Sequence, residues 1–185
     1  WLEREMAYQR EWEPFVPVKI EWDFGKNGST PLALPVEGGK IYLNGRIDRI
    51  DSDGRGLFVT DYKRGATPSG SDLTAGLDMQ MPVYLLALAA LEPQNVVLGG
   101  GYYSLKEARR KGGFALQALG KTPFTINNKP FTEGADQWSD FSGFCRITIR
   151  GYADALHQGI FPPAPRKKCP EFCPGKDICR AYGNL

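Results

Sequence analysis

The sequence predicts an α/β fold in which helices flank a mixed central sheet. Short apolar runs at residues 16–24, 41–47 and 57–59 are bounded by Gly, Pro and Asp, a pattern typical of strands. Apolar positions at helical spacing predict helices over 78–91 and 135–158. A hairpin followed by a helix and a further strand favours a sheet that contains both antiparallel and parallel pairs.

Composition bounds the class of protein. The chain has 185 residues, of which 42% are hydrophobic and 24% charged, as in a soluble globular domain. Its net charge of +2 is too small to indicate a nucleic-acid partner, so any DNA contact must come from local basic patches. No apolar run approaches the roughly 20 residues that span a bilayer, so no membrane contact is predicted. Without an export signal or an initiator Met, we expect a piece of a longer, cytoplasmic protein.

The first third of the chain predicts a helix, a strand and a link. Residues 1–12 favour a helix that ends before Pro14, and residues 16–24 favour a strand on which Glu21 shares a face with Lys19 and Asp23. Residues 25–35 are rich in turn formers and predict a link. The helix should turn an apolar stripe to the core, formed by Trp1, Leu2, Met6, Tyr8 and Trp12.

Strands over 40–51 and 56–63 are predicted to form a hairpin, with a turn at residues 53–56. An antiparallel hairpin would bring Asp48 beside Asp61. Because side chains alternate along a strand, Asp61 and Lys63 share a face and Tyr62 has the other. Two carboxylates and an ammonium at a strand end can hold a hard cation and orient a water. Taken singly, either aspartate could equally be an ordinary residue near a turn.

Asp51 is three residues beyond Asp48, so we expect it on the opposite face. It should cap the turn or pair with Arg49 or Arg46. Beyond the hairpin, residues 65–76 predict a Gly- and Ser-rich loop.

The helix over 78–91 carries Gln80 and Tyr84 on one face, because residues i and i+4 are neighbours on a helix. Pro82 lies in its first turns, where a missing N–H is tolerated. A strand at 96–98 follows, then three glycines and the sequence Tyr-Tyr-Ser-Leu at 102–105. The glycines match no phosphate-binding loop, so no ATP site is predicted.

Residues 106–134 have no regular pattern and interleave cations with phenylalanines. Such a segment could track a single strand of nucleic acid, with the rings stacked on bases, or it could be a solvated insert with a few apolar anchors. The members of this group are Lys106, Arg109, Arg110, Lys111, Lys121, Lys129, Phe114, Phe124 and Phe131.

The helix over 135–158 places Cys145 within its apolar stripe, which predicts a buried core thiol. Cys169, Cys173 and Cys179 form a close trio near the C-terminus, and thiolates at this spacing bind soft metal centres. We therefore divide the chain into a domain over 1–165 and a cysteine-rich tail over 166–185 that packs on it. His157, the only histidine, is expected at the surface or as a helix cap.

Three segments together resemble the RecB-type branch of the PD-(D/E)XK nuclease superfamily. They are Gly-Arg-Ile-Asp-Arg-Ile-Asp at 45–51, Asp-Tyr-Lys-Arg-Gly at 61–65 and Gln-Met-Pro-Val-Tyr at 80–84. Gly-Tyr-Tyr-Ser-Leu at 101–105 and the cysteine trio make the chain most similar to the C-terminal nuclease domain of AddB-type subunits of bacterial helicase–nucleases. The resemblance covers roughly residues 14–180 and implies a restriction-endonuclease-like fold.

The resemblance also implies a role for each residue of the site. Asp48, Asp61 and the carbonyl of Tyr62 would ligate Mg²⁺ or Mn²⁺, and Lys63 would orient a water or stabilise developing charge. Gln80 and Tyr84 would position the lysine or the scissile strand. Glu21 would help to shape the metal site, since relatives often carry a glutamate on this strand; a solvated carboxylate is the alternative. Relatives often add an upstream histidine, and none precedes Asp48 here.

The cysteine trio gains a specific meaning from the same resemblance. In AddB-type domains a similar trio joins one upstream cysteine to hold a [4Fe–4S] cluster that fastens the two ends of the domain. The upstream partner is not in this sequence, so we expect a complete cluster in the longer protein and an incomplete one here. A zinc site with His157 as fourth ligand, or a tail without metal, are the alternatives.

The function implied is a Mg²⁺-dependent deoxyribonuclease domain, acting as an exonuclease, in a bacterial helicase–nuclease that processes double-strand breaks. Its partners would be DNA and an AddA-type subunit. Two rival functions remain open. One is a nuclease-fold module that binds DNA or a partner without cutting, although such a module would be expected to lose Asp48, Asp61 or Lys63. The other is a zinc-binding interaction domain.

Overall fold

The computed structural model describes residues 2–11, 15–116 and 136–160, except for the side chains of residues 5, 8, 9 and 11. The cysteine trio, the tail over 166–185, Trp1, Trp12 and the phenylalanines and lysines predicted at 121–131 lie outside the described residues. The elements in chain order are α1 (Leu2–Glu11), β1 (Val16–Phe24), β2 (Leu32–Val36), β3 (Gly39–Leu43), β4 (Gly45–Ser52), β5 (Gly56–Lys63), α2 (Gly70–Thr74), α3 (Gln80–Leu91), β6 (Val96–Ser104), β7 (Arg109–Ala115) and α4 (Gln137–His157).

A five-stranded mixed sheet forms the centre of the fold, in the order β1-β4-β5-β6-β7. The β1–β4, β4–β5 and β6–β7 pairs are antiparallel, and β5–β6 is parallel. Helix α3 makes the crossover that a parallel pair requires. The predicted α/β fold with a mixed sheet flanked by helices is therefore confirmed.

The predicted single strand over 40–51 is wrong, because the chain changes sheet near Asn44. β3 pairs with β2 as a separate hairpin, whereas β4 enters the central sheet. Part of the predicted 25–35 link is therefore strand β2. Gly45 opens β4 tightly against β1, since a Cβ there would lie 2.7 Å from the ring of Phe24. One apolar run covers both strands, so the pattern held no sign of the switch.

The core lies between the sheet and helices α3 and α4. Leu85, Leu86 and Leu88 of α3 are fully buried, as expected of a crossover helix covered on several sides. Phe114 of β7 stacks on Phe141 of α4, with ring centroids 3.9 Å apart. The free thiol of Cys145 is buried in the same cluster, as predicted.

Three further expectations need correction. Residues 109–115 form strand β7 rather than an irregular insert, and Phe114 belongs to the core, so its ring cannot stack on a base. The 65–76 loop contains the short helix α2. Leu2 and Met6 of α1 are largely exposed instead of facing the core. Within the described ranges, no helix combines the length and apolar character needed to cross a membrane.

Candidate active site

Asp48 and Asp61 come together where the β4–β5 ladder ends. The last paired residues are Arg49 and Thr60, so Asp48 and Asp61 stand at the next position on each strand. There the backbone N–H of Tyr62 donates to Asp48 Oδ2 at 2.8 Å. A side chain thus takes the place of a backbone acceptor and fixes the Asp48 carboxylate beside β5.

Asp61 is almost fully buried, with 2% of its surface exposed. Its Oδ1 accepts a hydrogen bond from Gln80 Nε2 at 3.1 Å, and its Oδ2 lies 2.8 Å from Lys63 Nζ. Burial raises the pKa of Asp61; the neighbouring Lys63 opposes this, while the charges of Asp48 and Asp78 add to it. A cation placed between the carboxylates would offset both the burial and the repulsion.

Gln80 of α3 connects the acid and the base of the site. Its Oε1 accepts from Lys63 Nζ, while its Nε2 donates both to Asp61 and to the hydroxyl of Tyr84, the latter at 2.9 Å. Tyr84 lies one turn further along the helix, where its ring meets Phe24 edge-on with centroids 6.1 Å apart. Burial raises the pKa of Tyr84, so the hydroxyl stays protonated. The predicted shared face of Gln80 and Tyr84 points into the site.

Lys63 is held from three sides. Besides Asp61 and Gln80, its ammonium lies 5.5 Å from the centre of the Tyr102 ring, a cation–π contact. The hydroxyl of Tyr102 in turn donates to Asp78 Oδ2 at 2.5 Å. These contacts leave the lysine little rotational freedom, so its charge has a fixed position relative to Asp61.

Asp78 and Tyr102 are site residues that the sequence analysis missed. Tyr102 is opposite Asp61 in the β5–β6 register, and Asp78 Oδ1 accepts from the Gln80 N–H at 3.3 Å. Burial and the Asp78 carboxylate raise the pKa of the Tyr102 hydroxyl. The available signal for Asp78 was its place two residues before Gln80, at the start of a helix where an acid is favoured.

The reverse face of β5 is braced by a buried polar cluster. The Tyr62 hydroxyl accepts from Arg49 Nη1 at 3.1 Å, and Arg49 forms an ion pair with Asp51 at 2.7 Å. Thr60 donates to Asp51 Oδ2 at 3.2 Å. Burial raises the pKa of Asp51, although Arg49 opposes the shift. Asp51 thus pairs with Arg49, one of its two predicted roles, and Asp53 caps the turn by accepting from the backbone of residues 55 and 56.

Glu21 lies on β1 and its carboxylate faces Arg46, with 3.4 Å between Oε2 and Nη1. Its side chain is 69% exposed. The backbone of Glu21 has a φ of 48°, so the regular alternation of side chains along β1 breaks there. Asp23 binds the same arginine, with 2.8 Å to Nε. Alternation alone could not have fixed the direction of Glu21.

The donor set of the site suits a hard cation. Asp48 and Asp61 supply carboxylate oxygens, and Mg²⁺ needs few protein ligands because it keeps several waters. Asp61 Oδ2 is buried and, apart from the charge contact with Lys63, has no well-directed hydrogen bond within the described part of the chain. The described residues hold no group of three His, Cys, Asp or Glu side chains close enough to bind a metal. A metal here would therefore rest on the two carboxylates with a backbone oxygen and water.

Comparison with known proteins identifies a family. A model of the PD-(D/E)XK nuclease superfamily matches residues 1–180, nearly the whole chain. The mixed sheet and its helices are consistent with the restriction-endonuclease-like fold of that superfamily. The predicted family resemblance is thereby confirmed.

Curated relatives narrow the comparison, and all three cited here are the B-type subunit of an ATP-dependent helicase/deoxyribonuclease. The chain is similar to that of Acetivibrio thermocellus, with 40% identity over 102 residues, which is half of this chain and 9% of the relative. The protein of Alkaliphilus oremlandii is 40% identical over 100 residues, 48% of this chain and 9% of its own. That of Staphylococcus epidermidis is 35% identical over 127 residues, 58% of this chain and 11% of its own. The matched segments thus span about a tenth of these relatives.

Proposed function

The chain belongs to the PD-(D/E)XK nuclease superfamily, and we propose that it is a Mg²⁺-dependent deoxyribonuclease domain that hydrolyses DNA phosphodiester bonds. The observation that carries this proposal is the juxtaposition of Asp48, Asp61 and Lys63. The two carboxylates meet at the end of one ladder, and Lys63 lies against Asp61. Such a group, at the edge of a sheet and backed by a helix, fits the hydrolysis of a charged ester.

Asp48 and Asp61 would hold the metal, together with the backbone carbonyl of Tyr62. When bound, Mg²⁺ supplies Lewis-acid chemistry that lowers the pKa of a water in the site and neutralises charge on the phosphate. The bracing of Tyr62 by Arg49 from the reverse face keeps its peptide group in place. Glu21 is a further candidate ligand, which would reach the metal only by releasing Arg46.

Lys63 would orient the attacking water or stabilise the charge that develops on the phosphate. A fixed cation is effective in this role because it needs no reorganisation during the reaction. Gln80 supports it by accepting from its ammonium, and Tyr84 holds the Gln80 amide in turn. The two helix residues would therefore act chiefly by positioning Lys63 and Asp61, with Tyr84 also near enough to meet the scissile strand.

The wider setting follows from the relatives. Their name describes part of an ATP-dependent helicase and deoxyribonuclease. We propose that this domain serves a bacterial helicase–nuclease of that type, with an AddA-type partner subunit and DNA as substrate. Exonucleolytic cutting, a role in double-strand-break repair and residence in the cytoplasm would follow from membership of such a machine.

The cysteine trio would contribute to a [4Fe–4S] cluster in the longer protein. Cys145 is buried in the core, so it is poorly placed to supply the missing ligand. Iron, sulfide and zinc analysis of the purified longer protein would separate the two metal hypotheses. Iron and sulfide in equal amounts support the cluster, and zinc alone would replace it with a zinc site.

The decisive experiment measures cleavage of end-labelled single-stranded DNA in Mg²⁺, Mn²⁺ or EDTA, using wild type and Asp61→Ala. We expect cutting in either metal, none in EDTA and none from the variant. A variant that cuts like wild type would show that the site is wrong. A folded wild type that never cuts would favour the rival function, a nuclease-fold module that binds without cleaving.

A further inference from the structure

A second polar pocket lies beside the active site, between the loop after β5 and strand β7. It has a volume of about 390 Å³ and is lined by Thr67, Pro68, Ser69, Arg109, Lys111 and Gly112, among others. Gly112 has a φ of 50°, and a Cβ there would lie 3.0 Å from the carbonyl oxygen of Pro68. The glycine therefore lets β7 approach the loop closely and shapes the pocket.

The charges in this pocket converge on one point. Arg109 and Lys111 both contact the carboxylate of Glu107, at 2.6 Å and 2.5 Å. These two cations and one anion leave a local charge of +1 (2 − 1). Hydrogen bonds from Lys111 and Arg109 lower the pKa of Glu107, so the acid stays ionised. An exposed carboxylate gripped by two donors occupies the kind of position that a phosphate oxygen can take.

The sheet register places this pocket in line with the catalytic carboxylates. Asp61 is opposite Tyr102 on β6, and Tyr102 is opposite Lys111 on β7. Adjacent strands are about 4.8 Å apart, so Lys111 lies about 10 Å across the sheet from Asp61. Arg110 between the two cations takes the other direction, since its guanidinium lies 5.9 Å from the Tyr103 ring, on the side of Tyr62.

Resting on the nuclease function proposed above, we propose that Arg109 and Lys111 bind a backbone phosphate of the strand being cut, near the scissile phosphate. The phosphate displaces Glu107 from the two side chains, so the acid acts as a stand-in for the ligand in the free protein. Hydroxyls of Thr67 and Ser69 line the same space, and Asp72, which Ser69 binds, is another acid near it. The class of ligand is a phosphodiester of single-stranded DNA, whose backbone such a groove would track.

The test is binding of a labelled oligothymidylate to the chain in EDTA, where no cutting occurs. We expect Arg109→Ala/Lys111→Ala to lose about tenfold or more in affinity at low salt. The dependence of log affinity on log salt should become shallower by about 1.4, as for two lost single-strand phosphate contacts. The matched control, Arg146→Ala/Arg150→Ala, removes the same charge from exposed positions on α4 and should leave both quantities unchanged.

Glu107→Gln gives an opposite and independent expectation. Removing the internal carboxylate frees both cations, so affinity should rise, and this variant retains every basic residue. Weaker binding by Glu107→Gln, or equal losses in the two double variants, would overturn the proposal. So would a wild type that does not bind the oligonucleotide at any salt concentration.

The position of the contact can be tested with oligonucleotides that carry one neutral methylphosphonate. One position should weaken binding to wild type and have no effect on Arg109→Ala/Lys111→Ala. A uniform effect at all positions would overturn the assignment to a single site. Because these assays use no metal, a chain that binds this way but never cuts refutes the nuclease function alone, whereas a chain that cuts without these contacts refutes the phosphate site alone.

Discussion

The backbone N–H of Tyr62 donates a hydrogen bond to Asp48 Oδ2 at 2.8 Å, one position beyond the last backbone pair of the β4–β5 ladder. The same carboxylate that is placed to bind metal therefore also ends the ladder. This geometry ties the position of Asp48 to the residue between Asp61 and Lys63. It also separates two roles, since the hydrogen bond needs only an oxygen acceptor and the metal needs the charge.

Asp48→Asn should preserve the fold and abolish cleavage. The amide oxygen can still accept from Tyr62, but a neutral group binds Mg²⁺ poorly. We expect an unchanged circular dichroism spectrum, loss of the rise in melting temperature that Mg²⁺ gives wild type, and no cutting. The rise itself is expected because a ligand that binds the native state stabilises it.

Asp154→Asn is the matched control, because it removes one carboxylate from α4. It should retain both cleavage and the effect of Mg²⁺ on melting. If Asp48→Asn keeps the Mg²⁺-dependent rise, Asp48 is not a metal ligand.

Lys63→Ala should separate catalysis from metal binding. The ammonium is held by Asp61, Gln80 and Tyr102, so its loss removes a preorganised charge and should lower the cleavage rate by about 100-fold or more. Metal affinity, measured by calorimetric titration, should not fall, since a competing cation beside Asp61 is removed. Reduced metal affinity in this variant would instead make Lys63 part of the metal-binding framework.

Gln80→Ala should impair cleavage more than Tyr84→Phe. The amide contacts both Asp61 and Lys63, whereas the Tyr84 hydroxyl makes one hydrogen bond to that amide. Loss of the hydroxyl alone corresponds to about 0.5–1.5 kcal/mol, or roughly two- to tenfold in rate. Single-turnover cleavage rates give the comparison. A Tyr84→Phe defect as large as that of Gln80→Ala would mean that the hydroxyl touches the substrate directly.

Phe114→Ala should lower the free energy of unfolding by about 3–5 kcal/mol, the usual range for a large buried aromatic. Its ring is fully buried and stacked on Phe141. Urea unfolding measures the change, and Val18→Ala on the half-exposed part of β1 is the control. Were Phe114 instead a base-stacking residue on the surface, its removal would leave stability unchanged.

Cys145 should make stability depend on alkaline pH. Burial raises the pKa of this thiol to about 12 in the folded protein. Between the lower pKa of the unfolded chain and this value, only the unfolded state ionises the thiol, so its contribution to stability is complete at low pH and is lost as pH rises.

The wild type should therefore lose unfolding free energy relative to Cys145→Ala between about pH 9 and pH 11, by about 1.4 kcal/mol per pH unit at most. Chemical denaturation at several pH values measures the difference. A difference that stays constant over this range would contradict a buried, protonated thiol. The remaining cysteines, tyrosines and lysines titrate in both proteins and cancel.

Part of the fold could be predicted because its signals are local. The hairpin of β4 and β5 and the i, i+4 relation of Gln80 and Tyr84 follow from turn residues and from the periods of strand and helix. Strand β7 could not be predicted in this way, since charged residues and glycines are typical of a loop. The close pairing that requires Gly113, where a Cβ would lie 2.0 Å from the Gly100 oxygen, is visible only once β6 and β7 are adjacent.

By itself, the sequence determined the order of Asp48, Asp61, Lys63 and Gln80 and the side of β5 on which the acid and the lysine lie. The tertiary structure decided which groups surround them: Tyr102 over the lysine, Asp78 behind it and Arg49 bracing Tyr62. The reason is physical. A backbone period assigns a residue to a face of its own element, whereas its neighbours across a sheet depend on pairing between strands that are distant along the chain.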